Sequence, residues 1–219
     1  MHFCFYENVI PHNIIDEILS FFNNNKNLVK NDNFMEKINN PWSYPVVNQL
    51  KNILNQFLDT SHNVGDNIYK HSYAYFPHTD NDQEFDTVNA LIPLYVEKNY
   101  TQPFVIFDQY LKTKYAKTWM ISDDTSTNFS RNKVIKDSIF NDKDVVDCID
   151  KEIDDTLYSI LENPFRPKEL FYGLTGNAVD YKPGNLILFD RKYIHATGKM
   201  QAEYKIGLSL RFKGNINEF

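Results

Sequence analysis

The sequence predicts a mainly β fold, a barrel-like sheet preceded by a layer of helices, in a single domain spanning residues 1–219. Three observations point there. Apolar residues recur at helical spacing between residues 13 and 58, the pattern changes to alternation from about residue 67 onward, and residues 205–212 alternate between a large apolar face and a face of small and cationic residues. A chain of 219 residues that is 42% apolar and 15% aromatic can bury one large core without disulfides or a structural metal.

In chain order, Asn13 is expected to cap a first helix whose Ile14, Ile15, Ile18, Leu19 and Phe22 share one face, with Asp16 and Glu17 in its first turn. A second helix is expected over 44–58, where Val46, Val47, Leu50, Leu54, Phe57 and Leu58 keep helical spacing. The Asn-rich stretch 23–40 between the helices reads as a loop. Residues 1–66 thus form a helical layer, and 67–212 form the β core. Its first strands are expected over 67–76, 87–96 and 103–110 as a central run. The polar stretch 123–163 reads as an insertion whose Val145, Val146, Ile149, Ile153, Leu157, Ile160 and Leu161 mark a third helix. The turn signal Tyr181-Lys182-Pro183-Gly184 then feeds a strand over 186–189, and 205–212 is the last.

Net charge is −6, from 23 basic and 29 acidic residues, with no basic stripe, which argues against nucleic acid as a partner. Cys4 and Cys148 fit no metal spacing and read as free thiols in a reducing compartment. Residues 1–22 lack a basic start and are interrupted by Glu7, Pro11, Asp16 and Glu17, so neither a secretory leader nor a membrane span is expected. A cytoplasmic protein acting on a small molecule is the expectation.

The residues that carry chemistry are dispersed. His78-Thr79-Asp80 is a short motif and weak alone, but the alternating Tyr69, His71, Tyr73 and Tyr75 lead into it, and Phe76-Pro77 breaks the strand just before it. That aromatic stripe also reads simply as core packing. His195 follows the turn and apolar strand from Pro183 to Phe189, which would deliver it to a sheet edge. On the last strand Ile206, Leu208, Leu210 and Phe212 occupy one face, and Lys205, Gly207, Ser209 and Arg211 the other. Arginine occurs only four times, and one placed beside two small residues suggests a bidentate site for a carboxylate. A structural pair with an Asp of the protein is the alternative. Two imidazoles and one carboxylate on one side of a metal leave the other side open, an arrangement suited to Fe(II) that must also bind a co-substrate and O2.

Three segments taken together, His78-x-Asp80, the run from Pro183-Gly184 through Leu186-x-Leu188-Phe189-Asp190-Arg191 to His195, and Gly207-Leu208-Ser209-Leu210-Arg211-Phe212, resemble the Fe(II)- and 2-oxoglutarate-dependent oxygenases of the double-stranded β-helix (jelly-roll, cupin-like) type. The likeness is to the phytanoyl-hydroxylase-like and prolyl-hydroxylase-like branches. The resemblance implies His78, Asp80 and His195 as iron ligands, Arg211 as the clamp on the distal carboxylate of 2-oxoglutarate, Ser209 as a second contact, and Tyr73 or Tyr75 as a further co-substrate contact. It implies hydroxylation with release of succinate and CO2. Halogenating relatives are disfavoured, because they replace the carboxylate ligand by a small residue and Asp80 is present. A jelly-roll binding protein and a divalent-metal hydrolase with the same ligands are the alternatives. The loop 81–86, with Asp82, Glu84 and Asp86, reads either as a contact for an amine-bearing substrate or as solvated surface, and 123–163 reads as a lid.

Overall fold

The computed structural model describes residues 3–32, 35–74, 77–79, 87–97, 100, 102–111, 118–121, 132–135, 145–161, 168–214 and 216. The strands in chain order are β1 (Phe3–Tyr6), β2 (Lys30–Asp32), β3 (Met35–Asn39), β4 (Asn63–His71), β5 (Thr87–Val96), β6 (Pro103–Leu111), β7 (Thr118–Ile121), β8 (Asn132–Ile135), β9 (Val145–Val146), β10 (Gly176–Asp180), β11 (Leu186–Asp190), β12 (Tyr193–Thr197) and β13 (Lys205–Lys213). The α-helices are α1 (His12–Asn24), α2 (Pro45–Asn48), α3 (Lys51–Leu54) and α4 (Asp155–Leu161).

Two sheets make the core, a seven-stranded sheet in the order β1-β11-β5-β13-β4-β3-β2 and a smaller one in the order β10-β6-β12, with β9 also paired to β6. Their pairings are antiparallel, whereas β7 and β8 pair with each other in parallel. His78 bridges His195 and so extends the smaller sheet past β12. The arrangement is a double-stranded β-helix.

Strand alternation decides what each face does. Ile206, Leu208, Leu210 and Phe212 of β13 join Ile68, Ala90 and Ile92 against Ile15, Ile18 and Phe22 of α1, Val47 of α2, and Leu50 and Leu54, so the helical layer lies on the outside of the larger sheet. Each of these buried Val, Leu, Ile and Phe side chains contributes about 1.5–3 kcal/mol of transfer free energy. Val105, Phe107, Leu111, Leu157 and Leu161 pack α4 on the outside of the smaller sheet. The inward faces of both sheets enclose Tyr69, Leu91, Phe104, Ile106, Tyr181, Ile187, Phe189 and Tyr193, and this chamber holds the site.

Several local expectations are corrected. The first helix begins at His12 with Pro11 before it, whose carbonyl accepts the N–H groups of Ile14 and Ile15. Asn13 is therefore inside the helix, and no acidic residue occupies the first turn. The second helix is two short ones. Gln49 Nε2 donates to the Val46 carbonyl at 2.7 Å, the acceptor a continuing helix would offer to Leu50, and the Leu50 N–H turns to Val47 instead.

The Asn-rich stretch contains β2 and β3, which add to the edge of the sheet through β4. Only Ile38 of β3 is fully buried, so an edge hairpin of polar residues carried no apolar signal. The three expected central strands are not neighbours: β4 and β5 both flank β13, and β6 lies in the other sheet, because this topology pairs strands distant in sequence. Val145 and Val146 form a strand rather than the start of a helix. The helix begins only after Asp154, whose carboxylate accepts the N–H groups of Thr156 and Leu157. The expected lid loop at 123–133 and the acidic loop 81–86 lie largely or wholly outside the described residues.

Candidate active site and metal centre

His195 is an inward-facing residue of β12, 4% exposed. Its backbone is locked to that of His78 by reciprocal N–H to carbonyl bonds of 2.9 Å each way, which brings the two imidazoles to 4.4 Å between ring centroids. The rings of Phe189 and Phe104 pack against it at 4.7 and 5.8 Å. Nδ1 of His195 lies 3.0 Å from the Tyr193 carbonyl, which only a protonated nitrogen can satisfy. Nε2 then carries the lone pair, the state a metal ligand needs. Pro77 and Thr79 are buried on either side of the half-buried His78. Asp80, the third expected ligand, and Tyr75 lie outside the described residues. Among the described residues no three His, Cys, Asp or Glu side chains cluster, so the described part of the centre is the histidine pair.

The inward face of β13 places two cations differently. Lys205, at its start, is fully buried, with Nζ donating to Thr197 Oγ1 at 3.3 Å and lying 4.1 Å from the centre of the Tyr181 ring. Thr197 is two residues beyond His195 on the same face of β12. Among the described residues no carboxylate pairs with Lys205, and burial draws its ammonium down to about 7. His71, its cross-strand partner, is drawn down to about 3 by burial and by the Lys205 charge, and its Nδ1 bonds the Tyr73 carbonyl at 2.9 Å. A neutral imidazole therefore stands beside the ammonium. The hydroxyls of Tyr69 and Tyr181 meet at 3.0 Å under this cluster, and burial pushes the Tyr181 phenol far up. Gly207 is required between them, since a Cβ there would collide with both hydroxyls.

Arg211 stands six residues farther along β13, about 20 Å away at strand rise. Its guanidinium lies on Gly65, 3.1 Å from where a Cβ would be. Asp66 accepts the Trp42 N–H, and Arg211 is the weakest of three influences on it, after burial and that bond. Ser209 Oγ donates to Asn89 Oδ1 at 2.9 Å within the sheet, and Tyr73 is half-buried with its ring 5.3 Å from that of His71. The sequence reading placed Lys205 on the inward face but gave it no role. The signal was present: a lysine alternating with Gly207 and Ser209 is as costly to bury as an arginine there.

No protein-family model matches the chain, and no curated protein sequence does. Solved structures do match in fold. HygX from Streptomyces hygroscopicus, with nickel and 2-oxoglutarate bound, aligns with a TM-score of 0.54 at 10% identity over 98% of this chain and 83% of its own. The viral collagen prolyl hydroxylase vCPH from Paramecium Bursaria Chlorella virus-1, in its 2OG complex, gives 0.52 at 10% identity over 98% and 97%. The non-heme alpha-ketoglutarate-dependent epimerase SnoN from nogalamycin biosynthesis gives 0.51 at 10% over 97% and 78%. The chain has the double-stranded β-helix fold of iron- and 2-oxoglutarate-dependent oxygenases.

Proposed function

We propose that the chain is an Fe(II)- and 2-oxoglutarate-dependent dioxygenase that hydroxylates a small-molecule or amino-acid-like substrate, with His78, Asp80 and His195 holding the metal. The observation that carries this reading is the pairing of a locked imidazole couple with a fully buried lysine that has no carboxylate partner among the described residues, inside this fold. A buried cation without an anion is costly, and a dicarboxylate co-substrate would supply the missing charge.

On this reading the distal carboxylate of 2-oxoglutarate goes to Lys205 and the Thr197 hydroxyl rather than to Arg211, which lies toward the other end of the strand against Gly65. When bound, iron supplies the open coordination positions at which the oxoacid and O2 react, with release of succinate and CO2. The protein's own part is to fix the His195 tautomer through Tyr193, to hold the co-substrate by its far end, and to keep water out with Phe104, Phe189, Tyr69 and Tyr181. Tyr73, beside His71 and so near Lys205, retains a role as a co-substrate contact. Arg211 and Ser209 line the same inward face.

The test is succinate release in air from protein loaded with Fe(II) under anaerobic conditions. The reading expects succinate that depends on both iron and 2-oxoglutarate and is lost in His195→Ala. Succinate formation undiminished in that variant would rule out the ligand assignment.

A further inference from the structure

One cavity lies between β1, β6, β10 and β12, with Ile106, the cross-strand partner of His195, in its wall. Its volume is about 380 Å³, and its walls include Phe3, Asp108, Tyr110, Asp147, Asn177 and Tyr193. This is the size of a pocket for a small organic molecule. Asn177, Ile106 and His195 are register partners in one row across β10, β6 and β12, so the cavity floor at Ile106 is immediate neighbour to the His195 imidazole. We propose that this cavity is the substrate subsite and that it takes an organic cation, a protonated amine held between aromatic faces and two carboxylates.

The argument rests on the oxygenase reading for the meaning of His195, and on the cavity walls for the chemistry. Tyr110 and Tyr193 stand 5.1 Å apart between ring centroids, presenting the π surface that attracts cations. Both carboxylates are put in place by departures from regular backbone. The span Ile106 to Tyr110 of β6 lies against Tyr193 to His195 of β12, an irregularity in register that places Asp108 in a bulge beside the proposed metal ligand. Asp147 has φ of 63°, in the left-handed region. Its carbonyl is held at 2.9 Å by Gln109 Nε2, and that fully buried amide also binds Thr175 through both of its ends. The buried Gln109 amide thus fixes the backbone position of Asp147 at the cavity edge.

The charge balance gives the sign of the ligand. Lys192 already lies over the two tyrosines, at 5.3 and 5.6 Å, but it pairs with Asp190 at 3.2 Å. Among the described residues no cation pairs with Asp108 or Asp147, and both of their charges are felt at the Tyr193 hydroxyl. An anionic ligand would meet two carboxylates here, whereas a protonated amine would meet complementary charge and two aromatic faces.

The probes are 1,5-diaminopentane and 1,5-pentanediol, equal in length and different in charge, titrated calorimetrically into anaerobic protein holding Fe(II) and 2-oxoglutarate. The diamine is expected to bind at least about tenfold tighter than the diol. In the Asp108→Asn, Asp147→Asn double variant that preference should shrink to within about twofold, and the remaining diamine affinity should respond less to added salt. Asparagine is tolerated at a left-handed position, so the variant keeps the backbone. A diol bound as well as the diamine, neither compound bound, or a preference that survives in the double variant overturns the proposal. Binding of 2-oxoglutarate, measured first in the same protein, separates the two claims. If the oxoacid does not bind, the oxygenase reading fails. If it binds and the diamine shows no preference, this inference fails alone.

Discussion

Lys205 and Arg211 share one face of one strand, yet their surroundings differ. Lys205 sits in a fully buried pocket with a hydroxyl, an aromatic face and a neutral imidazole around it, and its ammonium is drawn down to about 7 by burial. A carboxylate bound there would favour the charged form, so binding and protonation are linked. If 2-oxoglutarate binds at Lys205 as proposed, the free protein would have to take up a proton to bind it above about pH 7, and its affinity should fall toward tenfold per pH unit. Lys205→Met should weaken co-substrate binding by on the order of 1.5–3 kcal/mol for a lost charge-assisted contact and abolish that pH dependence, while Arg211→Lys should do neither. Affinities measured by titration near pH 7 and near pH 9 decide it. A large loss in Arg211→Lys, with Lys205→Met binding normally, would return the clamp to Arg211.

At the scale of elements, β13 serves two environments because its period of two separates them: large apolar residues meet the helical layer, and small or charged ones meet the chamber. Gly207 is where the two requirements are tightest. Gly207→Ala should destabilise the protein by roughly 1–3 kcal/mol through overpacking against Tyr69 and Tyr181, and it should loosen 2-oxoglutarate binding as that pair shifts. Denaturant unfolding checks the first effect and co-substrate titration the second; wild-type stability would show that the phenols yield easily.

Elements with strong periodicity were legible in the sequence. β5 runs over the expected residues, β13 divides its faces as read, and the turn before β11 uses Gly184 at φ 98°, a conformation that favours glycine. The elements hidden in the sequence are those whose cause is a partner far away. β2 and β3 are polar strands completed by β4, β9 is two residues completed by β6, and the break between α2 and α3 is set by one Gln49 side chain. Lys205 stayed hidden for a similar reason: its meaning depends on Thr197, Tyr181 and His71, which only the folded chain assembles.

The two sheets enclose a chamber lined by aromatic and aliphatic side chains, with one fully buried ammonium, that of Lys205, beside them. No described helix is long and apolar enough to cross a membrane. The sign of the Lys205 contribution follows from its lowered pKa. Between about 7 and 10.5 the unfolded chain holds more protons than the folded one, so the stability of the ligand-free protein rises with pH across that window. Below about 7 the full penalty for a buried ammonium remains. Lys205→Met should therefore stabilise the ligand-free protein at about pH 6 by on the order of 1–4 kcal/mol and flatten its dependence on alkaline pH, even as it weakens co-substrate binding. Unfolding curves at about pH 6 and pH 9 test this. A variant less stable than the parent at the lower pH would mean that the ammonium contributes more than it costs.

The central claim is a metal centre built on His78 and His195 that binds iron and 2-oxoglutarate together. It is tested most directly by anaerobic calorimetric titration of Fe(II) into the protein with and without 2-oxoglutarate, in parallel with His78→Ala and His195→Ala. The account predicts one iron per chain, tighter binding of each component in the presence of the other, and loss of iron binding in both variants with the fold retained. Iron binding at full strength in either variant, or 2-oxoglutarate affinity indifferent to the metal, would contradict it.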